Sequence, residues 1–316
     1  MYEQLLLLDD VRINFSAGGM HAVNIVLAFV MFGVALGLRA QMFKDILQYP
    51  KSAIVGLFSQ IIALPALTFL LVIIFNQQIT PMVAMGMILV ASCPGGNISN
   101  FMSQLSKANT ELSISLTAVN TALSTIITPF NFALWGSFYV NYVNNHAAEA
   151  LQELHIDTFQ MFETVLLLLG VPLVLGILTV KYLPKIAEKL KKPMQYFSIL
   201  FFIAMVVIAF RNNLDLFLHY IFFIFILVLI HNLVALSTGY GLATVFKLPK
   251  IDRRTLTIET GIQNSGLGLV LLFNPKIFPP DLAIGGMLFV TAWWGIWHII
   301  SGLSISLYWS KHKSKE

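Results

Sequence analysis

The chain has 316 residues, of which 57% are hydrophobic and 11% charged, less than half the roughly 25% charge of a soluble globular domain. Nineteen Lys and Arg against fifteen Asp and Glu leave a net charge of +4, but the basic residues sit in short clusters between apolar runs, which implies no nucleic-acid partner. Cys93 is the one cysteine, excluding an intrachain disulfide, a thiol pair and a cysteine metal cluster.

At the N-terminus, Leu5 to Leu8 are followed at once by Asp9 and Asp10, a run too short for a signal-peptide core or a membrane span. Residues 1–19 read as an interfacial lead-in. Nine apolar stretches follow, at about 20–38, 52–75, 79–103, 112–140, 161–180, 194–210, 216–246, 255–274 and 282–309, each long enough for ~30 Å of hydrocarbon. The expected fold is an all-α polytopic membrane protein with nine transmembrane helices in a single domain over 1–316.

Alternate connections between these stretches divide the basic residues unevenly. One side receives sixteen, from Arg39, Lys44 and Lys51 through the cluster Lys181 to Lys192 to Lys311, Lys313 and Lys315. The other receives three, Arg12, Arg211 and Lys276. The positive-inside rule makes the richer side cytoplasmic. The N-terminus is then outside and the C-terminus inside, as expected of a plasma (cell inner) membrane protein. The connection 141–160, which has no Lys or Arg, becomes the main external loop between a four-helix repeat at 20–140 and a five-helix repeat at 161–309.

The third stretch carries Pro94-Gly95-Gly96-Asn97-Ile98-Ser99-Asn100, and the eighth carries Glu259-Thr260-Gly261-Ile262-Gln263-Asn264-Ser265-Gly266. They run in opposite directions through the membrane, as inverted-topology repeats require. Pairing three with eight pairs four with nine, two with seven and one with six. Stretch five is left over, as if an opening helix were missing from a five-plus-five design. Glycine, proline and asparagine at this depth free backbone groups that must line a cavity or find partners. A tight helix crossing is the other reading, since glycine also lets backbones approach.

Glu259 stands out because a carboxylate in the bilayer costs at least ~2.5–3.5 kcal/mol and is normally retained for a partner. No Lys or Arg lies within a neighbouring stretch. Two readings fit: a bound cation supplies the counter-charge, or Glu259, five residues from Arg254, is solvated at the interface. Gln263 stands at i+4 from Glu259, and Ser113 and Thr117 repeat that spacing on the fourth stretch. All offer oxygen, which a hard cation such as sodium requires, although Ser and Thr also bond back to their own helix or join helices together. His231, Asn232 and Asn131 read as polar glue between helices, and Trp293, Trp294 and Trp297 as packing or an interfacial anchor.

The segments Cys93-Pro94-Gly95-Gly96 with Ser99-Asn100, Glu259-x-x-x-Gln263-Asn264-Ser265-Gly266, and Trp297-His298 with Ser301-Gly302 resemble the bile acid:sodium symporter family from about residue 20 onward. That resemblance implies two inverted repeats with two broken, crossing helices, here without the first helix of the ten-helix form. It implies co-transport of two Na+ with a small organic anion by alternating access. The first sodium site would be Ser99, Asn100, Ser113, Thr117 and Glu259. The second would be Gln60, Glu259, Gln263 and the carbonyls of Thr260 and Ile262. Asn97, Asn264, Ser265 and His298 are the implied substrate-binding residues; His298 beside three tryptophans also fits a packing role. Asn97 stands where bacterial relatives have threonine, and Ile299 where asparagine can follow the histidine.

Other readings are a sodium-independent facilitator or channel, a membrane ligand sensor, and an embedded hydrolase using Cys93 or a serine with His298. The sequence contains no nucleophile elbow, no H-E-x-x-H and no P-loop. No obligate protein partner is evident. The charge division generates a direct test. A tag after Lys315 should be reached only from the cytoplasm and one beside Asn145 only from outside intact cells; both on one side would refute nine spans.

Overall fold

The structure, a computed structural model, describes residues 2–9, 17–146, 163, 166–211, 214–274, 277–279 and 282–311. In chain order the helices are α1 (Tyr2–Asp9), α2 (Ala17–Ala35), α3 (Ala40–Asp45), α4 (Pro50–Phe58), α5 (Leu64–Ile74), α6 (Pro81–Ser92) and α7 (Ile98–Leu105). They continue with α8 (Thr110–His146), α9 (Val171–Tyr182), α10 (Pro184–Arg211), α11 (Leu214–Val245), α12 (Lys250–Gly261), α13 (Ser265–Leu272) and α14 (Gly285–Lys311). Four helical stretches among the described residues are long and apolar enough to cross a membrane: Pro50–Ile74, Thr110–His146, Ile221–Val245 and Gly285–Lys311. A fifth is the pair Ile25–Ala35 and Ala40–Gln48, bent by 61°. Large apolar side chains lie exposed along them, among them Ile54, Leu70, Ile74, Phe130 and Leu233, as a lipid-facing surface requires.

The third and eighth stretches do not form continuous helices. Each is split into two half-helices, α6 with α7 and α12 with α13. The backbone is extended at Cys93 after α6, and Ile262 leaves the helical region after α12.

The second stretch is continuous but contains a π-helical turn at Ser59–Ala63 between α4 and α5. Pro65 explains it, because proline lacks an N–H and its ring clashes with the carbonyl four residues earlier. That carbonyl, Ile61 O, accepts a hydrogen bond from Asn131 Nδ2 at 2.7 Å. Asn131 is thus helix glue with an identifiable purpose.

Several boundaries differ from the sequence reading. The segment before residue 20 is more than an interfacial lead-in, because α1 packs into the molecule. Leu5 and Leu8 are fully buried, and Asp9 accepts from Thr80 Oγ1 at 2.9 Å and from the Met82 amide at 3.3 Å. Its carboxylate thereby meets orphan N–H groups at the start of α6. The fourth stretch runs on to His146 rather than ending near 140, with Tyr142 stacked on His146 at 4.4 Å; most of the expected external loop lies outside the described residues. The basic connection before the sixth stretch is helical too, since α10 begins at Pro184 and passes through Pro193.

Close backbone approach holds the bundle together at two glycines. A Cβ on Gly86 of α6 would lie 2.7 Å from the Met287 Cα of α14. On Gly239 of α11 it would meet Leu256 O and lie 2.9 Å from the Thr257 Cα of α12. These contacts are with backbone and cannot yield by a rotamer change. Gly239→Ala should therefore lower stability by about 1–3 kcal/mol, read as an earlier melting transition in detergent, whereas Gly241→Ala, with nothing within 4 Å, should keep or slightly raise the melting temperature.

Candidate functional site

The breaks in the two split helices meet. Gly96 N donates to Ile262 O at 2.7 Å and Asn264 N donates to Pro94 O at 2.7 Å, so that Gly95 and Gln263 form an antiparallel bridge. Each break supplies the partners that the other has lost. Buried backbone groups left without partners in lipid would cost several kcal/mol each. Gly95 has to be small, because a Cβ there would lie 2.7 Å from Gln60 Nε2 and 3.1 Å from Glu259 Oε2.

Glu259, in the third turn of α12, is 1% exposed, which removes the solvated-interface reading. Its Oε1 accepts from Ser99 Oγ at 2.5 Å, Ser113 Oγ at 2.5 Å and Thr117 Oγ1 at 3.2 Å, and its Oε2 from Thr117 Oγ1 at 3.0 Å. Asn100 Oδ1 lies 3.0 Å from Ser113 Oγ and 3.1 Å from Thr117 Oγ1. The first turn of α7 presents Ser99 and Asn100, and successive turns of α8 present Ser113 and Thr117. All five residues of the first implied sodium set are therefore together.

Their hydroxyls are shared between acceptors. Each hydroxyl carries one hydrogen, yet Ser113 and Thr117 are each within reach of both the carboxylate and Asn100 Oδ1. Three hydroxyl protons are shared among six contacts to three acceptor oxygens, two of the carboxylate and one of Asn100. A cation at this point would let the hydroxyls turn lone pairs inward. Among the described residues there is no group of three or more His, Cys, Asp or Glu side chains fit for a metal, and this neutral-oxygen set with one carboxylate suits a hard cation.

The second implied set is also gathered, with its backbone carbonyls engaged. Gln60 Nε2 donates to Glu259 O at 2.5 Å, Gln263 Nε2 donates to Thr260 O at 2.7 Å, and Ile262 O accepts from Gly96. Gln263 Oε1 is buried without a hydrogen-bond partner. The i+4 relation of Glu259 and Gln263 does not hold as helix geometry, because α12 ends at Gly261. Gln263 reaches back toward Thr260 from the break.

The four substrate candidates lie at or near the helix breaks. Asn97 is exposed at the N-cap of α7, and Asn264 occupies the same position on α13, where its Oδ1 accepts from the Leu267 amide at 3.1 Å. Ser265 Oγ is where a Cβ on Gly295 would press, at 2.8 Å, and His298 is buried three residues beyond Gly295 on α14. No hydrogen bond joins these four residues among those described. Trp294 is fully buried and tilted against His231 at 4.7 Å, while Trp293 and Trp297 pack on Phe225, in line with a packing role.

Three residues belong to this region that the sequence reading left out of it. Asn120 donates to Gln60 Oε1; Ser59 Oγ lies 2.8 Å from Thr260 Oγ1; and Asn232 donates to Gly261 O at 2.8 Å. Asn232 is glue of a specific kind, since it caps the carbonyl on which α12 ends. Asn120 follows Thr117 on the same helix face, a spacing visible in the sequence. Nothing in the sequence points to Ser59 or Asn232.

A model of the sodium bile acid symporter family matches residues 24–220, well over half of the chain. The chain belongs to that family. Among its relatives, the uncharacterized sodium-dependent transporter YocS of Bacillus subtilis is 29% identical over 93% of this chain and 84% of that protein. The P3 protein of Bos taurus is 31% identical over 73% of the chain and 46% of its own length. Sodium/bile acid cotransporter 4 of Mus musculus is 29% identical over 84% of the chain and 59% of its length. The chain thus spans only about half to three-fifths of these two longer relatives. The family is one of membrane transporters, not enzymes, which disposes of the embedded hydrolase.

The tight fit at Gly95 yields a test of the crossing. Gly95→Ala should push Gln60 off the Glu259 carbonyl and lower the melting temperature, with any salt-dependent stabilisation reduced in parallel. An unchanged melting curve would mean that Gln60 does not depend on this approach.

Proposed function

We propose that this chain is a secondary active transporter that couples sodium entry to the uptake of a small organic anion, a carboxylate or bile-acid-like molecule. The observation that carries the reading is Glu259 itself, a buried carboxylate ringed by hydroxyls where two broken helices cross. Sodium at Ser99, Asn100, Ser113, Thr117 and Glu259 would neutralise the carboxylate and tie α7, α8 and α12 together. A second ion would engage Gln60, Gln263, Glu259 and the carbonyls of Thr260 and Ile262, after the two amide side chains turn their oxygens toward it. The orphan Gln263 Oε1 supports this.

The N-termini of α7 and α13 are the places for the anion's carboxylate, since half-helix N-termini carry positive dipole ends. Asn97, Asn264 and Ser265 would hold it there, with His298 behind Ser265. Ion binding completes that site by fixing the crossing, and alternating access then exposes it to either side. The names of the relatives, a sodium-dependent transporter and sodium/bile acid cotransporters, support the sodium dependence. Nine spans in inverted repeats, with the N-terminus outside and the C-terminus in the cytoplasm of a plasma membrane, complete the reading; the antiparallel bridge between the two breaks supports opposed repeats.

Two ions with one monovalent anion carry one net charge inward. A tenfold sodium gradient supplies ~1.4 kcal/mol per ion, and one charge crossing ~100 mV adds ~2.3 kcal/mol. Sodium chloride should raise the melting temperature of the purified protein relative to choline chloride, and Glu259→Ala should abolish that shift. In liposomes loaded negative inside, uptake of the transported carboxylate should rise with a sodium Hill coefficient above one. Uptake indifferent to sodium would leave a facilitator, and wild-type sodium stabilisation in Glu259→Ala would remove the carboxylate from the site.

A further inference from the structure

Six polar residues stand on one face of α8: Ser113, Thr117, Asn120, Ser124, Thr128 and Asn131. Their spacing follows the 3.6-residue period of a helix, and all are between 0% and 5% exposed. The stripe is ~27 Å long at ~1.5 Å per residue. Its first two members reach Glu259 and the third reaches Gln60. The last four, Asn120 to Asn131, line a narrow cleft with room for about one water molecule, whose walls also include Gln60, Cys93 and Pro94, with the exposed Leu123 beside it.

Helix glue accounts for part of the stripe. Asn131 holds Ile61 O, and Ser124 bonds back to Thr121 O at 2.8 Å. It does not account for Thr128, whose Oγ1 is buried, lines the cleft and has no hydrogen-bond partner. A hydroxyl kept in that condition is destabilising unless something visits it. The cleft lining has oxygens and amides but no formal charge. Such a lining stabilises a cation without trapping it, and offers an anion no basic group.

We infer that the polar stripe of α8 and its cleft form the outer half of the route by which a partly hydrated monovalent cation reaches Gln60 and Glu259. The route leads from the site toward the His146 end of α8, the external end on the charge division, and rests on the sodium-coupled reading above. Thr128 and Asn131 would exchange water for protein oxygens around the ion. Asn120 would hand it on by releasing Gln60 Oε1.

Cys93 offers a built-in reporter, because it lines the cleft and is the one thiol in the chain. Silver ion, a monovalent cation of size similar to sodium, displaces the thiol proton to form an S–Ag bond. The full-length protein in detergent and chloride-free nitrate buffer would be exposed to silver nitrate, desalted and unfolded, and its remaining thiol counted with maleimide. Cys93 should be captured in the folded state, at least tenfold more slowly in sodium nitrate than in choline nitrate. Thr128→Leu, which fills the cleft, should slow capture at least tenfold while keeping the sodium-dependent melting shift. If that variant does not fold, sodium protection of the wild type decides the matter. No capture in protein that still shows the sodium melting shift, or capture at a rate indifferent to sodium, overturns the route alone. Absence of the melting shift from the wild type removes the sodium-coupled reading and the route with it.

Discussion

Everything at the centre of this molecule depends on two interrupted helices sharing their backbone. Neither break is tolerable in a bilayer by itself, because each leaves N–H and C=O groups with no water to satisfy them. The bonds from Gly96 to Ile262 and from Asn264 to Pro94 turn two liabilities into one joint. The requirements on sequence follow from that joint. Glycine is needed where the strands touch, asparagine where α13 must be capped, and Asn232 where α12 stops short. The carbonyls of Glu259 and Thr260 thereby accept from the Gln60 and Gln263 side chains, and that of Ile262 from the Gly96 amide.

The same joint explains why a carboxylate is retained beneath it. Glu259 receives hydroxyls from α7 and α8, helices that belong to the first half of the chain, while itself lying on α12 in the second. Whatever changes the charge at that point acts on both halves at once. Three helices then report a single local event, and the anion candidates at the ends of α7 and α13 lie a few residues away along the same backbone. Proximity of this kind makes coupling a matter of shared geometry rather than of long-range transmission.

Much of this was legible in the sequence because it is written in short-range signals. Pro94-Gly95-Gly96 and Gly261 mark the breaks; Ser113 and Thr117 sit one turn apart on a helix that is in fact continuous there; an isolated Glu259 announces a buried site. The failures have equally local causes. Gln263 was placed by helix periodicity in a segment where the helix has ended. Asn232 looks like any buried amide until the fold brings it against Gly261. The packing of α1 escaped notice because four leucines and an aspartate form too short a pattern to show what they touch. The π-turn is signalled by Pro65, but the identity of the side chain that repairs it comes from 70 residues further on.

That π-turn has a consequence for how the gene can vary. A π-turn is in effect one residue inserted into an α-helix, and one residue is worth about 100° of rotation. Gln60 lies within the widened turn, so its direction is fixed by the inserted residue as well as by its own identity. Substitutions around it alter one side chain at a time. Loss of a single codon in 59–63 would close the turn into regular helix and leave the flanking faces in register, but it would re-aim the side chains of the turn itself, Gln60 among them. The extra residue therefore serves the direction of one amide rather than the alignment of the two flanking helices.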